Sequence, residues 1–207
     1  MLAGLKRSPN VLAEYQKKLQ KIDEHMGVGM SGLTADGRSL VKYMRTEALN
    51  HKYAYGTPMQ GGRIVLDLAD MHQRCTQTYV RRPYGVGLLV SSYDQTGPHL
   101  FMTEASGNYY EYYAMAMGAR SQTSRTYLER EFDSFSTAST DDLIMHSLKA
   151  LSSSLEAETE LNAKNASVSI VGKDTPYREL EGAELQRYLD AIEVEGQGGM
   201  DVESSDQ

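Results

Sequence analysis

A chain of 207 residues, 40% hydrophobic and 24% charged, is most simply one domain with a two-layer or sandwich core. Its net charge of -7 and pI near 5.3 argue against DNA, RNA or an anionic membrane as the main partner, because those surfaces reward basic patches. One cysteine, Cys75, excludes an internal disulfide, no apolar run approaches the ~20 residues that span a bilayer, and MLAGLKRSPN is too short and too soon charged for a secretory signal. Cytoplasm and nucleus are the expected locations.

The opening MLAGL reads as the back half of a strand, closed by the turn signal KRSPN with Pro9. From Lys18 to Thr34, Leu19, Ile22, Met26, Val28 and Met30 alternate with polar or glycine positions, which predicts strands. Thr34 is the expected N-cap of a helix whose buried stripe is Leu40, Val41, Met44 and Ala48. After a break at Gly56 to Pro58, a second helix is predicted with Ile64, Leu68, Met71 and Cys75 on its inner face.

Three short apolar runs follow, Val86 to Tyr93, Pro98 to Glu104 and Tyr109 to Met117, each predicted as a strand. Between the first two, Asp94 and Gly97 in YDQTGP mark a hairpin turn. Two helices come next, one lined by Leu128, Phe132 and Phe135, the other by Ile144, Leu148, Leu151 and Leu155 behind the capping cluster STDD. ASVSIVGKD is a late strand carrying Val168 and Ile170 on one face, and Gly182 to Glu193 is a final helix. The domain is therefore placed at residues 1–193. The acidic, glycine-rich tail 194–207 is too poor in apolar surface to offset its ordering entropy and is expected to be disordered, with Ser204 and Ser205 as candidates for phosphorylation. Blocks of strands and helices, rather than strict alternation, predict an α/β protein of the α+β type with helices outside an antiparallel or mixed sheet assembly.

The chemistry-bearing candidates fall one by one. Gly85 and Gly87 lack the third glycine of a dinucleotide fingerprint, since Val90 stands there and a strand follows instead of a helix. SIVGKDT has Asp174 where a phosphate loop needs a hydroxyl, and Ser167 where it needs its first glycine. GMSGL offers Gly29 and Ser31 but ends in Leu33, so Ser31 is no nucleophile elbow. The histidines His25, His51, His72, His99 and His146 are scattered and form no metal-binding motif. His72, beside a helix stripe, reads as a hydrogen-bonded structural residue, and Cys75 as an inert small hydrophobe. NYYEYYAM would suit base stacking, but the acidic charge disfavours nucleic acid and tyrosine has high strand propensity. Asn165 opens a glycosylation sequon that matters only in a secreted protein.

Four segments in order, SGLTADGR, RRPYGVGLLVSSYDQTGPHLF, AMGARSQTSRTYLERE and VSIVGKDTPY, resemble those of the α subunits of the proteasome 20S core. The resemblance implies a four-layer αββα sandwich of the N-terminal-nucleophile hydrolase fold. It implies a non-catalytic structural subunit, without cofactor or metal, in a hetero-heptameric outer ring. Its partners would be other α subunits, β-ring subunits, and a regulatory particle or other activators, with no nucleic acid and no membrane. Its role would be to support substrate gating and activator docking in ubiquitin-dependent and -independent degradation. Aligned on SGLTAD, the family's pocket for the C-terminal carboxylate of activator tails falls on Lys18, with Gly32 and Leu33 as wall. A lysine facing a chain-terminal carboxylate is physically sensible, while Lys17 and Lys21 nearby keep open the reading of a solvated basic face.

One departure concerns the N-terminus. Family members begin with several dozen further residues, including a gate-forming extension, so the first helix and strand are expected to be missing here. The chain is then either a fragment or a short form that would assemble poorly, with an exposed sheet edge. Two alternatives to a ring subunit remain. A stand-alone N-terminal hydrolase needs a nucleophile at a processed N-terminus, yet the first threonine is Thr34, behind the strands. A monomeric adaptor would bind peptide tails through the Lys18 region.

Overall fold

The computed structural model describes residues 1–6, 12, 16–155 and 159–198, with the backbone alone for 193–198. The KRSPN turn expected after the first strand falls largely outside the described residues, as do 199–207 of the expected tail.

One sheet is built from two runs of strands, with α1 and α2 inserted between β3 and β4. Strands β2 (Leu19–Asp23), β3 (Met26–Gly32), β4 (Val86–Asp94), β5 (Gly97–Thr103) and β6 (Tyr109–Glu111) lie in that order, all antiparallel. Helices α1 (Thr34–Tyr55) and α2 (Gly61–Gln77) cover one face. Met26, Val28, Leu40, Met44, Ile64, Leu68, Leu88 and Val90 form the buried contact between helices and sheet, each large side chain contributing about 1.5–3 kcal/mol of burial. α1 ends where Gly56, at φ 70°, donates its N–H to the Lys52 carbonyl at 2.9 Å.

A second sheet has the order β1 (Leu2–Leu5), β7 (Ala166–Gly172), β8 (Thr175–Leu180). β1 pairs antiparallel with β7, Leu2 opposite Ser169. Its outer face packs on α4 (Thr140–Ser152) and α5 (Ala183–Gly198) through Ile144, Leu148, Val168, Ile170, Leu185 and Leu189. α3 (Ser121–Arg130) lies against α4, where the buried Ser124 hydroxyl donates to the Ala150 carbonyl at 2.5 Å. The inner faces of the two sheets meet, so the layers run helix, sheet, sheet, helix. Glycines in β3 allow that approach. A Cβ on Gly27 would stand 2.4 Å from the Tyr177 ring of β8, a distance no real contact shows.

Several local expectations need correction. Thr34 is the first helical residue rather than the cap; the cap is Leu33, which has no side-chain bond to give, and the Thr34 hydroxyl is held by Gln16 instead. α3 stops at Arg130, so Phe132 and Phe135 belong to a separate 3-10 turn, Phe132–Ser134, and its end. β6 spans three residues; Tyr112 still donates its N–H to Leu100 of β5 at 2.8 Å, and the residues after it leave the sheet. β8 was not expected at all. Pro176, Arg178 and Glu179 mask its alternation, but it is an edge strand, where proline and charge are tolerated. α4 ends at Ser152, before Leu155, whereas α5 runs past the expected Glu193 to Gly198. His72 is fully buried, yet neither ring nitrogen has a hydrogen-bond partner. The STDD cluster forms a full capping box: Ser139 Oγ accepts from the Asp142 N–H at 3.2 Å, and Asp142 accepts the Ser139 N–H at 3.1 Å.

Candidate functional site

The junction between β3 and α1 gathers most of the residues singled out by sequence. Gly32 closes β3 at φ 127°, and a Cβ there would lie 2.3 Å from the Gly85 carbonyl oxygen. Both backbone groups of Gly85 are committed to the start of α1: its carbonyl accepts the Leu33 N–H at 2.8 Å, and its N–H donates to Asp36 Oδ2 at 2.9 Å. The same carboxylate takes two N–H groups of Arg82, at 2.7 and 2.9 Å. Hydrogen bonds from Arg82 first, and from the Gly85 backbone second, hold the Asp36 carboxyl down at about 2. The Arg-Pro-Tyr-Gly stretch is thus a bolt under α1. Its glycine serves close backbone approach and no phosphate.

The segment 16–18 enters the same region and is fastened three ways. Gln16 Nε2 donates to the Thr34 hydroxyl, Lys17 pairs with Glu179 at 3.0 Å and Glu181 at 3.7 Å, and the Lys18 carbonyl accepts the Met30 N–H at 3.0 Å. Lys6 joins the network through Glu181 at 2.8 Å. The Glu179 hydrogen bond leads the causes that raise the Lys17 ammonium above its usual range, so that side chain is engaged with the second sheet. Lys18 is half-buried.

Lys18 and Gly32 both line a cleft of about 1430 Å³ bounded by β1, β3, the Tyr112–Ala119 stretch, α3 and α4. Leu33 is not in that wall. Its side chain, 54% exposed, lies over Gly85, where a Cβ would approach Leu33 Cδ1 to 2.6 Å. The structure therefore brings together two of the three residues expected at the tail pocket and sets the third beside them.

What the cleft offers chemically is the half-buried Lys18, a largely apolar wall, and two carboxylates, Glu111 and Asp133. Ser31 lines it, but the histidines that also reach it face other groups: His99 lies between Glu111, at 2.5 Å, and Asp94, at 3.1 Å, and His146 meets the Tyr127 hydroxyl at 2.9 Å. Among the described residues, no group of three or more His, Cys, Asp or Glu is arranged to hold a metal, and no helix is long and apolar enough to cross a membrane. Sequence reasoning missed the Asp36–Arg82 pair and the His99 cluster. The first had a signal, an aspartate on the inward side of a helix's first turn, which demands a donor elsewhere.

Comparison with known proteins agrees with this architecture. The family described as "Proteasome subunit" matches residues 1–171. The chain is 47% identical to "Proteasome subunit alpha type-1" of Dictyostelium discoideum over 196 residues, 94% of this chain and 79% of that one. It is 43% identical to the subunit of the same description from Trypanosoma brucei rhodesiense over 195 residues, 94% and 73% of the two chains. It is also 42% identical to "Probable proteasome subunit alpha type-6" of Schizosaccharomyces pombe over 196 residues, 95% and 72% of the two.

Proposed function

The chain belongs to the proteasome subunit family, as a member of its non-catalytic alpha type, and from that premise we propose that it occupies one position in the outer α ring of a 20S core particle. There it contacts neighbouring α subunits in a hetero-heptameric ring and rests on the β-ring subunits. Through the Lys18 region, beside Gly32 and Leu33, it receives the C-terminal tail of a regulatory particle or other activator and so supports opening of the substrate gate. Its place of work is the cytoplasm and nucleus.

The observation that carries the docking role is the setting of Lys18. A half-buried lysine on the wall of a large cleft, on a segment fastened by Gln16, Lys17 and its own carbonyl, is set on a fixed backbone where an incoming carboxylate could meet it.

The test is made in assembled core particles carrying Lys18→Ala. Native gels are expected to show the variant incorporated to the same extent as the unsubstituted chain, while binding of activator tail peptides with a free C-terminal carboxylate weakens about tenfold or more, as for loss of a desolvated charge pair. Amidated tail peptides should bind wild type and variant alike. Unchanged tail affinity in fully assembled Lys18→Ala particles would remove the docking role. Failure of the wild-type chain to enter particles at all would remove the ring role.

A further inference from the structure

On the flank of α1, a second pocket of about 320 Å³ opens between the helix and the edge strand β2. Arg38, Lys42 and Arg45 converge on it, with Gln20 at one side and Met30 and Val41 beneath. No carboxylate lines it, and it shares only Met30 with the cleft at Lys18.

The charge arrangement is costly within the chain. Arg38 and Lys42 are four positions apart and Lys42 and Arg45 three, so like charges are neighbours on one helix face and destabilise it. With 28 acidic residues against 21 Lys and Arg, partners were abundant. Among the described residues, however, neither Arg38 nor Lys42 has an ion pair or a side-chain hydrogen bond. Arg45 is the exception and is already oriented: its Nε donates to the Lys21 carbonyl at 2.7 Å and its Nη2 to Gln20 Oε1 at 3.2 Å. Among the described residues, then, an exposed cation cluster that weakens its own helix has no acid paired with Arg38 or Lys42.

We infer that this pocket is a docking site for an acidic segment of a partner protein, presenting carboxylates to Arg38 and Lys42 over the Met30–Val41 floor. Spaced carboxylates suit the site better than one compact phosphate. The cations sit roughly 5–6 Å apart at their Cβ atoms, and they lie past the first turn of α1, where no free backbone N–H groups form an anion cradle. Addition of a strand along β2 is disfavoured, because Arg45 already takes the Lys21 carbonyl on that edge. Recognition is therefore by side chains, and it is independent of Lys18.

The full chain is titrated with an end-capped hexaglutamate peptide at low and moderate salt, with hexaglutamine and inorganic phosphate as parallel probes. Because the chain carries a net charge of -7, non-specific attraction of a polyanion works against binding, so any affinity is local. Wild type is expected to bind hexaglutamate in a salt-sensitive way and hexaglutamine not at all. Arg38→Ala/Lys42→Ala should lose about tenfold or more in affinity, while Lys52→Ala/Arg74→Ala should not. The melting temperature of Arg38→Ala/Lys42→Ala should stay level or rise, since like-charge neighbours are removed. Equal hexaglutamate binding by that variant overturns the proposal. A clear drop in its melting temperature also overturns it, by showing that the cations serve the fold. Phosphate binding as tight as the peptide's, lost in the same variant, makes the pocket a small-anion site and overturns the assignment to a protein segment.

Discussion

Asp36 and Arg82, 46 positions apart in sequence, meet in a two-point carboxylate–guanidinium pair at 2.7 and 2.9 Å. The carboxylate is nearly buried, its partner 65% exposed, and the pair joins the first turn of α1 to the entry of β4. Since the carboxyl is lowered from 3.8 to about 2, its contribution to stability is complete above its unfolded value and is lost as pH falls toward its folded one. Asp36→Asn should destabilise the chain by about 1–3 kcal/mol at neutral pH, the range for weakening a charged, largely buried hydrogen-bond set. Thermal melts from pH 6 down to pH 2, taken as round experimental bounds about the ordinary carboxylate range, should show wild type and variant converging. Parallel curves would mean that the pair contributes nothing pH-dependent.

Gly32 is a second point of no tolerance. Its φ of 127° is closed to L side chains, and its would-be Cβ faces backbone, the Gly85 oxygen at 2.3 Å, which cannot rotate away. Strain of this kind costs on the order of 1–3 kcal/mol before the clash is counted. Gly32→Ala is expected to lower the melting temperature more than alanine at Gly97, where a Cβ meets open space at a comparable φ of 126°. Equal losses at the two sites would show that backbone conformation alone matters.

Two histidines should respond to pH with opposite signs. Burial pushes the His72 imidazole down from its ordinary 6.5; the Glu104 backbone offsets part of that push, but short of hydrogen-bond geometry. Its contribution is therefore present above 6.5 and lost as pH falls through that value. His99 is the reverse. Burial alone would lower it, but Glu111 and Asp94 outweigh burial and hold it raised, so its contribution is present below 6.5 and fades as pH rises through the raised value. His72→Leu should gain about 1 kcal/mol by removing two unpartnered buried nitrogens, with the gain largest at pH 5, about a unit and a half below the free imidazole. His99→Gln should lose stability mainly on the acid side. Imidazole NMR titrations and melts across this range check both. A His99 that titrates below free imidazole would refute its clamp between two carboxylates.

The element order was largely legible because each helix stripe and each inner strand carries its own periodicity. Leu40, Val41, Met44 and Ala48 are buried as spaced. The losses have separate causes. β8 was hidden because an edge strand half in water need not look apolar, and only Tyr177, toward the other sheet, and Leu180, toward the helices, are buried. Gly27 and Gly29 looked like gaps in an alternation, whereas they are inner-face residues chosen for the approach of the other sheet. The pocket wall was placed by resemblance; Lys18 and Gly32 line one cleft and Leu33 lies beside them over Gly85, an arrangement that no spacing encodes. The pairs Asp36–Arg82 and His99–Glu111 lie beyond sequence reading for the same reason: long-range partners are set by how layers stack.

The pairing of β1 with β7 also sets a clock. Gly4 and Ser167, which meet across that ladder, are separated by 163 positions, whereas every strand of the five-stranded sheet finds its mate in the next one along. At a synthesis rate of about 5–20 residues per second, β1 waits roughly eight to thirty seconds for its one ladder partner among the described residues to emerge. The five-stranded half can be complete long before then. Throughout that interval β1 is an unpaired apolar strand beside a nascent chain, open to the wrong neighbour. The slowest and most error-prone event in the birth of this molecule is therefore the closing of its smaller sheet.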